Sequence, residues 1–200
     1  MGRNEEVNQI LRKKRMEEIE EGALYYFAKY GLRGAKISDL SKYLGISQGL
    51  IYRYYASKEE LFKVVSSKWI QNRDTNFQGL VEAPISSVEK IKFLTKHVET
   101  SIRADKKFAA FFTIFENESL TSGTKEGTMF YDWSNEPITM LATIIRQGQE
   151  NHEPIHEGDP FQMAVGYWGY VFAVSHNYIS TDSLAWYDLN ILNRMLIKNM

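Results

Sequence analysis

Two stretches carry side chains whose types and spacing could do chemistry. The first is GISQGLIYRYYASKEEL, Gly45 to Leu61. It holds an amide (Gln48), phenols (Tyr52, Tyr54), a guanidinium (Arg53), an ammonium (Lys58) and a glycine without a Cβ (Gly49). Such donors suit phosphate oxygens and base edges rather than bond breaking. The second is HEPIH, His152 to His156, which formally matches the zinc-hydrolase pattern H-E-x-x-H. That chemistry needs both histidines on one face of a continuous helix. Pro154 stands between them, and the flanking QEN and EGDP read as a turn. A zinc hydrolase built on His152 and His156, with Glu157 as a further ligand, is therefore an alternative that the proline opposes. The absence of cysteine excludes disulfides, thiolate metal sites and thiol catalysis. No phosphate-binding loop, dinucleotide fingerprint or G-x-S-x-G stretch occurs. The expectation is a protein without catalytic residues, metal or cofactor, and not an enzyme.

Helical phase sorts the first stretch. At 100° per residue, Ile51 and Tyr55 share one face and can bury against Phe27, Leu40, Leu44 and Leu61. Gly49 and Arg53 lie opposite, Leu50 and Tyr52 flank them, and Tyr54 falls on the border. On that exposed face Arg53 can grip guanine or phosphate, Gln48 can pair with adenine, and Leu50 can pack on a thymine methyl. Tyr52 can reach a backbone phosphate. Lys58 adds charge at a helix N-terminus, a ready anion site.

The elements that must position these residues are helices. Of the 200 residues 44% are hydrophobic and 24% charged, as in a globular protein able to bury a core. Alternating β-branched segments are nearly absent, so the fold class is all-α, with about nine helices. Met16, Ile19, Ala23, Phe27 and Tyr30 form an apolar stripe on a helix from about Lys13 to Tyr30, ended by Gly31. Glu17, Glu18, Glu20 and Glu21 read as its solvated face. The run RKKR, Arg12 to Arg15, is either a water-facing helix start or a phosphate contact. A short helix should span Ser38 to Leu44, with Gly45 stopping it and Ser47 capping the next. Ser57 and Glu60 form a capping box opening a fourth helix that runs past Trp69 towards Phe77. Further helices are expected over 86–103, 106–119, 124–150, 160–180 and 185–198. Asp159, Pro160 and Gln162 mark the start of the helix at 160.

The first 70 residues hold 13 of the 24 Lys and Arg but only 9 of the 25 Asp and Glu. A basic N-terminal third on an acidic remainder suits a phosphate-bearing partner at one end. No signal-peptide run or 18-residue apolar stretch occurs, so a cytoplasmic protein with no membrane association is expected.

The order F-A-x-x-G, D-L-S-x-x-L-G-I-S, G-L-I-Y-R-Y-Y and S-K-E-E-L-F, running from Phe27 to Phe62, resembles the DNA-binding domain of the TetR family of bacterial transcriptional regulators. The resemblance covers about Arg15 to Trp69. It implies a three-helix helix-turn-helix domain over 1–56 and a larger helical ligand-binding and dimerisation domain over 57–200. It also implies contacts to a double-stranded DNA operator from Gln48, Gly49, Tyr52, Arg53, Tyr54 and Lys58, with a supporting contact near the start of the second helix. Ser47 and Leu50 are further DNA-contact candidates in the same stretch. Where the family usually has a capping threonine the chain has Lys36. Lysine supplies charge to a phosphate but cannot accept from the backbone, so Ser38 is expected to cap and the helix to start later.

Beyond residue 80 only IIRQGQENHEPIHEGDP, Ile144 to Pro160, resembles the family. Phe108, Phe111, Phe112 and Phe115 share one helix face, and Met129, Phe130 and Trp133 sit on another helix. With His97, Glu116 and His176 as polar candidates, these could line a pocket for a small, largely apolar effector, or simply form core. Phe161, Val165, Trp168, Phe172, Trp186, Leu189, Leu192, Met195 and Leu196 give the last two helices more apolar surface than one core needs. Together with Gly166 and Gly169 they predict a two-fold homodimer, the alternative being an internal core. The expected function is a dimeric regulator, a repressor released from its operator by that effector. The alternative is a helix-turn-helix DNA binder with no small-molecule inducer.

Overall fold

The computed structural model describes the backbone of residues 2–119, 125–185 and 187–200, and the side chains of 6–68, 79–114, 136–185 and 187–200. The roles expected of Trp69, Phe77, Phe115, Glu116, Met129, Phe130, Trp133 and Trp186 fall on side chains outside those described. Among the described residues the secondary structure is helical apart from one isolated bridge pair, Ile155 with Ile197. The helices are α1 (Gly2–Gly34), α2 (Ile37–Leu44), α3 (Gln48–Tyr52), α4 (Lys58–Glu82), α5 (Ser87–Ala104), α6 (Lys106–Ser119), α7 (Lys125–Glu150), α8 (Pro160–Thr181) and α9 (Ile191–Leu196). The fold class is all-α, as the sequence predicts. The chain divides into two compact units, 1–71 and 72–200. The division falls within α4, whereas the boundary expected from the sequence lay at 56/57, ahead of that helix.

In the first unit α1 begins at Gly2 rather than near Lys13. Gly31, with φ 64° and ψ 165°, breaks its winding as expected, since L residues rarely adopt that conformation. The stripe holds at Ile19, Ala23 and Phe27, but Tyr30 is exposed and Leu24 and Tyr26 are buried instead. Glu20 corrects the solvated-face reading. It is buried, accepts from the Tyr55 hydroxyl at 2.8 Å and pairs with Lys68. A carboxylate can leave water this way because both partners repay its lost hydration.

Ser38 does not cap α2. The N-cap position is Lys36, in extended conformation, without a side-chain cap. Gly45 ends α2 in the left-handed region (φ 66°), with its N–H on the Lys42 carbonyl. The Ser47 Oγ accepts from the Leu50 N–H at 3.2 Å and starts α3. At α4 the Ser57 Oγ accepts from the Glu60 N–H at 3.0 Å, while the Glu60 carboxylate reaches back to the Ala56 N–H.

In the second unit α8 packs against α6 and α7, and α5 against α6, α7 and α9. Tyr167 and Trp168 of α8 are buried. The Tyr167 hydroxyl lies 3.1 Å from the Thr95 hydroxyl, and the Trp168 indole N–H donates to the Pro137 carbonyl at 3.0 Å. Asp159 caps α8 by accepting from the Gln162 N–H at 2.8 Å. The last helix is only Ile191–Leu196, shorter than the expected 185–198.

Candidate nucleic-acid interface

Backbone bonds carry the α3 winding past its formal end. The Arg53 N–H donates to the Gly49 carbonyl, and those of Tyr54 and Tyr55 to Ile51, all at 3.0 Å. Ile51 and Tyr55 are buried, which fixes the rotation of this turn on the unit. The same phase leaves Gln48, Gly49, Tyr52 and Arg53 exposed, with Leu50 and Tyr54 half-buried. Tyr52 is 52% exposed against 2% for Tyr55. Burial, followed by the Glu20 hydrogen bond, pushes the Tyr55 phenol above its ordinary value, so it stays a neutral donor.

Lys36 and Ser47 are exposed at the starts of α2 and α3. Lys58 is half-buried, and its ammonium donates to the Leu32 carbonyl at 2.8 Å and the Ala35 carbonyl at 2.9 Å. It therefore pins the α1–α2 turn, a task that its residue type and position alone do not reveal. Carbonyl acceptors in a turn leave no trace in residue type. Of three ammonium protons, two are directed at these carbonyls and one remains for a further acceptor.

Beside α3 lies a groove of about 870 Å³. One wall is a stripe of α1 at helical spacing: Asn8, Leu11, Arg12, Arg15 and Glu18, with Lys14. The other is Leu50, Arg53 and Tyr54. The Arg12 guanidinium stands 5.8 Å from the centre of the Tyr54 ring. Arg15 pairs with Glu18 at 2.7 Å.

The expected effector residues divide. Phe111 and Phe112 are buried, Phe108 and His97 half-buried, and His176 exposed. Phe112 stacks on Trp168 with ring centres 5.5 Å apart and planes 12° apart, and it also meets Phe108 and Phe172. His97 instead lies parallel to the exposed ring of Phe93 on α5.

The expected dimer residues divide as well. Trp168, Leu189, Leu192 and Leu196 are buried within the unit and Phe172 is half-buried. Phe161, Val165 and Met195 are exposed, and so is Ile191. Gly166, Gly169 and Ala173 of α8 are exposed too, and a Cβ at Gly166 would stand 3.6 Å from the Met195 methyl.

HEPIH is not helical. His152 has φ 56°, Ile155 forms the bridge to Ile197, and both histidines are exposed. The Glu153 carboxylate accepts from the Ser87 and Val88 N–H groups, each at 3.0 Å, and so caps α5. Its two oxygens hold a helix start, the role the zinc reading would have given to catalysis.

Residues 19–65 match the model of the bacterial regulatory proteins, tetR family. An uncharacterized HTH-type transcriptional regulator of Bacillus subtilis, YezE, is 27% identical over 57% of this chain and 55% of its own length. The HTH-type transcriptional repressor AcnR of Corynebacterium diphtheriae is 42% identical over 42% of each chain. The chain thus matches about half the length of these curated relatives. The structure of FadR of Bacillus subtilis in complex with stearoyl-CoA superposes with a TM-score of 0.63 at 17% identity, covering 92% of this chain and 98% of that one. That likeness carries the helical fold across both units. The buried Ile51 and Tyr55 and the outward Gln48-to-Arg53 face all lie within residues 19–65, the stretch that is similar to the tetR family of bacterial regulatory proteins.

Proposed function

We propose that the protein is a dimeric, sequence-specific DNA-binding transcriptional regulator of the cytoplasm. In this reading it acts as a repressor released from its operator by a small, largely apolar effector, and not as an enzyme. One observation carries it: Gln48, Gly49, Tyr52 and Arg53 face outward on a turn whose inward residues are buried. Arg53 and Gln48 read base edges in the major groove, with Leu50 against a thymine methyl. Tyr52, Tyr54, Ser47, Lys36 and Lys58 hold phosphates and set the register. Among the described residues no helix is long and apolar enough to cross a membrane, which fits the cytoplasmic reading.

The dimer rests on the exposed Phe161, Val165, Ile191 and Met195, which α8 and α9 present beside small residues that allow close approach. Two-fold symmetry would put two copies of α3 in major grooves about 34–36 Å apart, on a near-palindromic operator. The effector reading rests on the Phe108, Phe111 and Phe112 face and its neighbours Trp168 and Phe172. FadR of Bacillus subtilis was solved with stearoyl-CoA, so acyl-coenzyme A thioesters are the first effectors to test. Such a ligand would weaken operator binding by its differential affinity for the two conformations, about 1–3 kcal/mol in typical allosteric systems.

The experiment is a selection of duplexes from a random library, followed by titration of acyl-coenzyme A thioesters of graded length. The reading predicts one enriched near-palindrome and weaker binding to it with at least one thioester. No enriched sequence would sink the DNA-reading role. An enriched sequence indifferent to every apolar ligand tried would favour the DNA binder without an inducer.

A further inference from the structure

We propose that the N-terminal part of α1 is a second DNA-contacting element, and that the groove between it and α3 seats the phosphodiester backbone of the duplex that α3 reads. The proposal rests on the DNA-binding reading above and extends it to residues outside the family match, which begins only at residue 19.

The helix reaches back from Lys13 to Gly2, about 16 Å of additional rod. Its rotation is fixed lower down, where Glu20 is buried between Tyr55 and Lys68. That rotation turns Asn8, Leu11, Arg12, Arg15 and Glu18 towards Leu50, Arg53 and Tyr54. Four cations, Arg12, Lys14, Arg15 and Arg53, stand in the groove against one carboxylate, Glu18. The chain as a whole carries a formal charge of −1, so this concentration of positive charge is local. A polyanion is the complementary occupant.

The rest of the lining narrows the choice. Leu11, Leu50 and the Tyr54 ring offer apolar surface at the size of a sugar face. Tyr54 lies under Arg12, which holds that guanidinium near the C-terminal end of the recognition turn while its fork keeps donors for an anion. Arg12 and Arg15 are about 4.5 Å apart along the helix axis. One strand presents a phosphate every 3.4 Å or so of duplex axis. Neighbouring phosphates of a single strand can therefore be gripped in turn. Arg53 belongs to both surfaces, which makes the groove continuous with the face that enters the major groove.

The test uses the full chain carrying Arg12→Ala, Lys14→Ala and Arg15→Ala together, all at exposed positions. The probe is a duplex of random sequence, about 30 base pairs long, titrated between about 50 and 200 mM salt. Every cation that no longer neutralises a phosphate should lower the slope of log K against log salt by about 0.9, so the triple variant's slope should fall by about 2 to 3. Tyr54→Ala, which removes the ring beneath Arg12, should give up part of the same slope. Lys92→Ala with Lys96→Ala, exposed cations of α5, should leave it unchanged. A triple variant with wild-type melting and a wild-type slope would overturn the proposal. So would a slope that holds while wild-type binding of dodecyl phosphate disappears, because the groove would then belong to a small amphipathic anion. If the wild-type chain binds no duplex at all, the regulator reading falls first. If it binds and the variant's slope is unaltered, only the groove falls.

Discussion

The outward faces of α3 and α8 differ as the partners proposed for them differ. Both helices bury large aromatics on their inner side, Tyr55 just beyond α3 and Tyr167 with Trp168 on α8. Outside, α3 offers an amide, a phenol and a guanidinium around Gly49. The outer side of α8 offers Phe161, Val165, Gly166, Gly169 and Ala173. Polar donors at groove-reading length suit a hydrogen-bonding polyanion. Small and apolar residues suit a second apolar helix, which gains by excluding water and approaching closely. The contrast teaches that in this chain the buried half of a helix fixes orientation and the exposed half chooses the partner.

The comparison breaks most sharply if inner and outer positions are exchanged as targets. Tyr55→Ala and Trp168→Ala should each cost about 3–5 kcal/mol of unfolding free energy, read by chemical denaturation. Tyr52→Ala should stay within about 0.5 kcal/mol in stability yet weaken binding to every duplex. A Tyr52 variant as unstable as the Tyr55 one would erase the distinction. Next in size is the outer face of α8. Val165→Glu combined with Met195→Glu should leave the fold intact and move the mass in light scattering from dimer to monomer. An unchanged mass would place the dimer contact elsewhere or remove it.

A smaller effect tests the inner faces through pH. Burial raises the Tyr167 phenol, and burial with the Glu20 bond raises that of Tyr55, above the unfolded value of about 10. The folded chain thus keeps protons that the unfolded chain releases. The stabilisation is complete below about pH 10 and is lost as pH rises through the folded values. The denaturation midpoint should fall above that pH, and less steeply in Tyr167→Phe. An identical pH profile in the variant would remove Tyr167 from the account.

The phase of the three tyrosines was legible because neighbours on one helix share a fixed 100° step. The Ser47 and Asp159 caps were legible because the cap acceptor lies three residues from its donor. What escaped depends on partners far along the chain. Glu20 looks solvated among four glutamates until Tyr55, 35 residues on, and Lys68, 48 residues on, come beside it. Lys58 looks like a free phosphate ligand until the α1–α2 turn presents two carbonyls to it. The buried state of Leu189, Leu192 and Leu196 was equally hidden, because an apolar stripe does not reveal which of two surfaces it meets. The basic run Arg12 to Arg15 is legible as a phosphate candidate, but the groove it forms with Leu50, Arg53 and Tyr54 depends on residues far along the chain.

One measurement bears most directly on the central claim that the outward face of α3 reads sequence. Wild-type protein and Arg53→Ala are each used to select duplexes from the same random library at fixed salt. The account predicts a near-palindromic motif for the wild type. With Arg53→Ala it predicts reduced information at the contacted base pair, worth about 1–3 kcal/mol of discrimination, in a protein that keeps its fold. A folded Arg53→Ala protein that recovers the same motif with the same preference would contradict it.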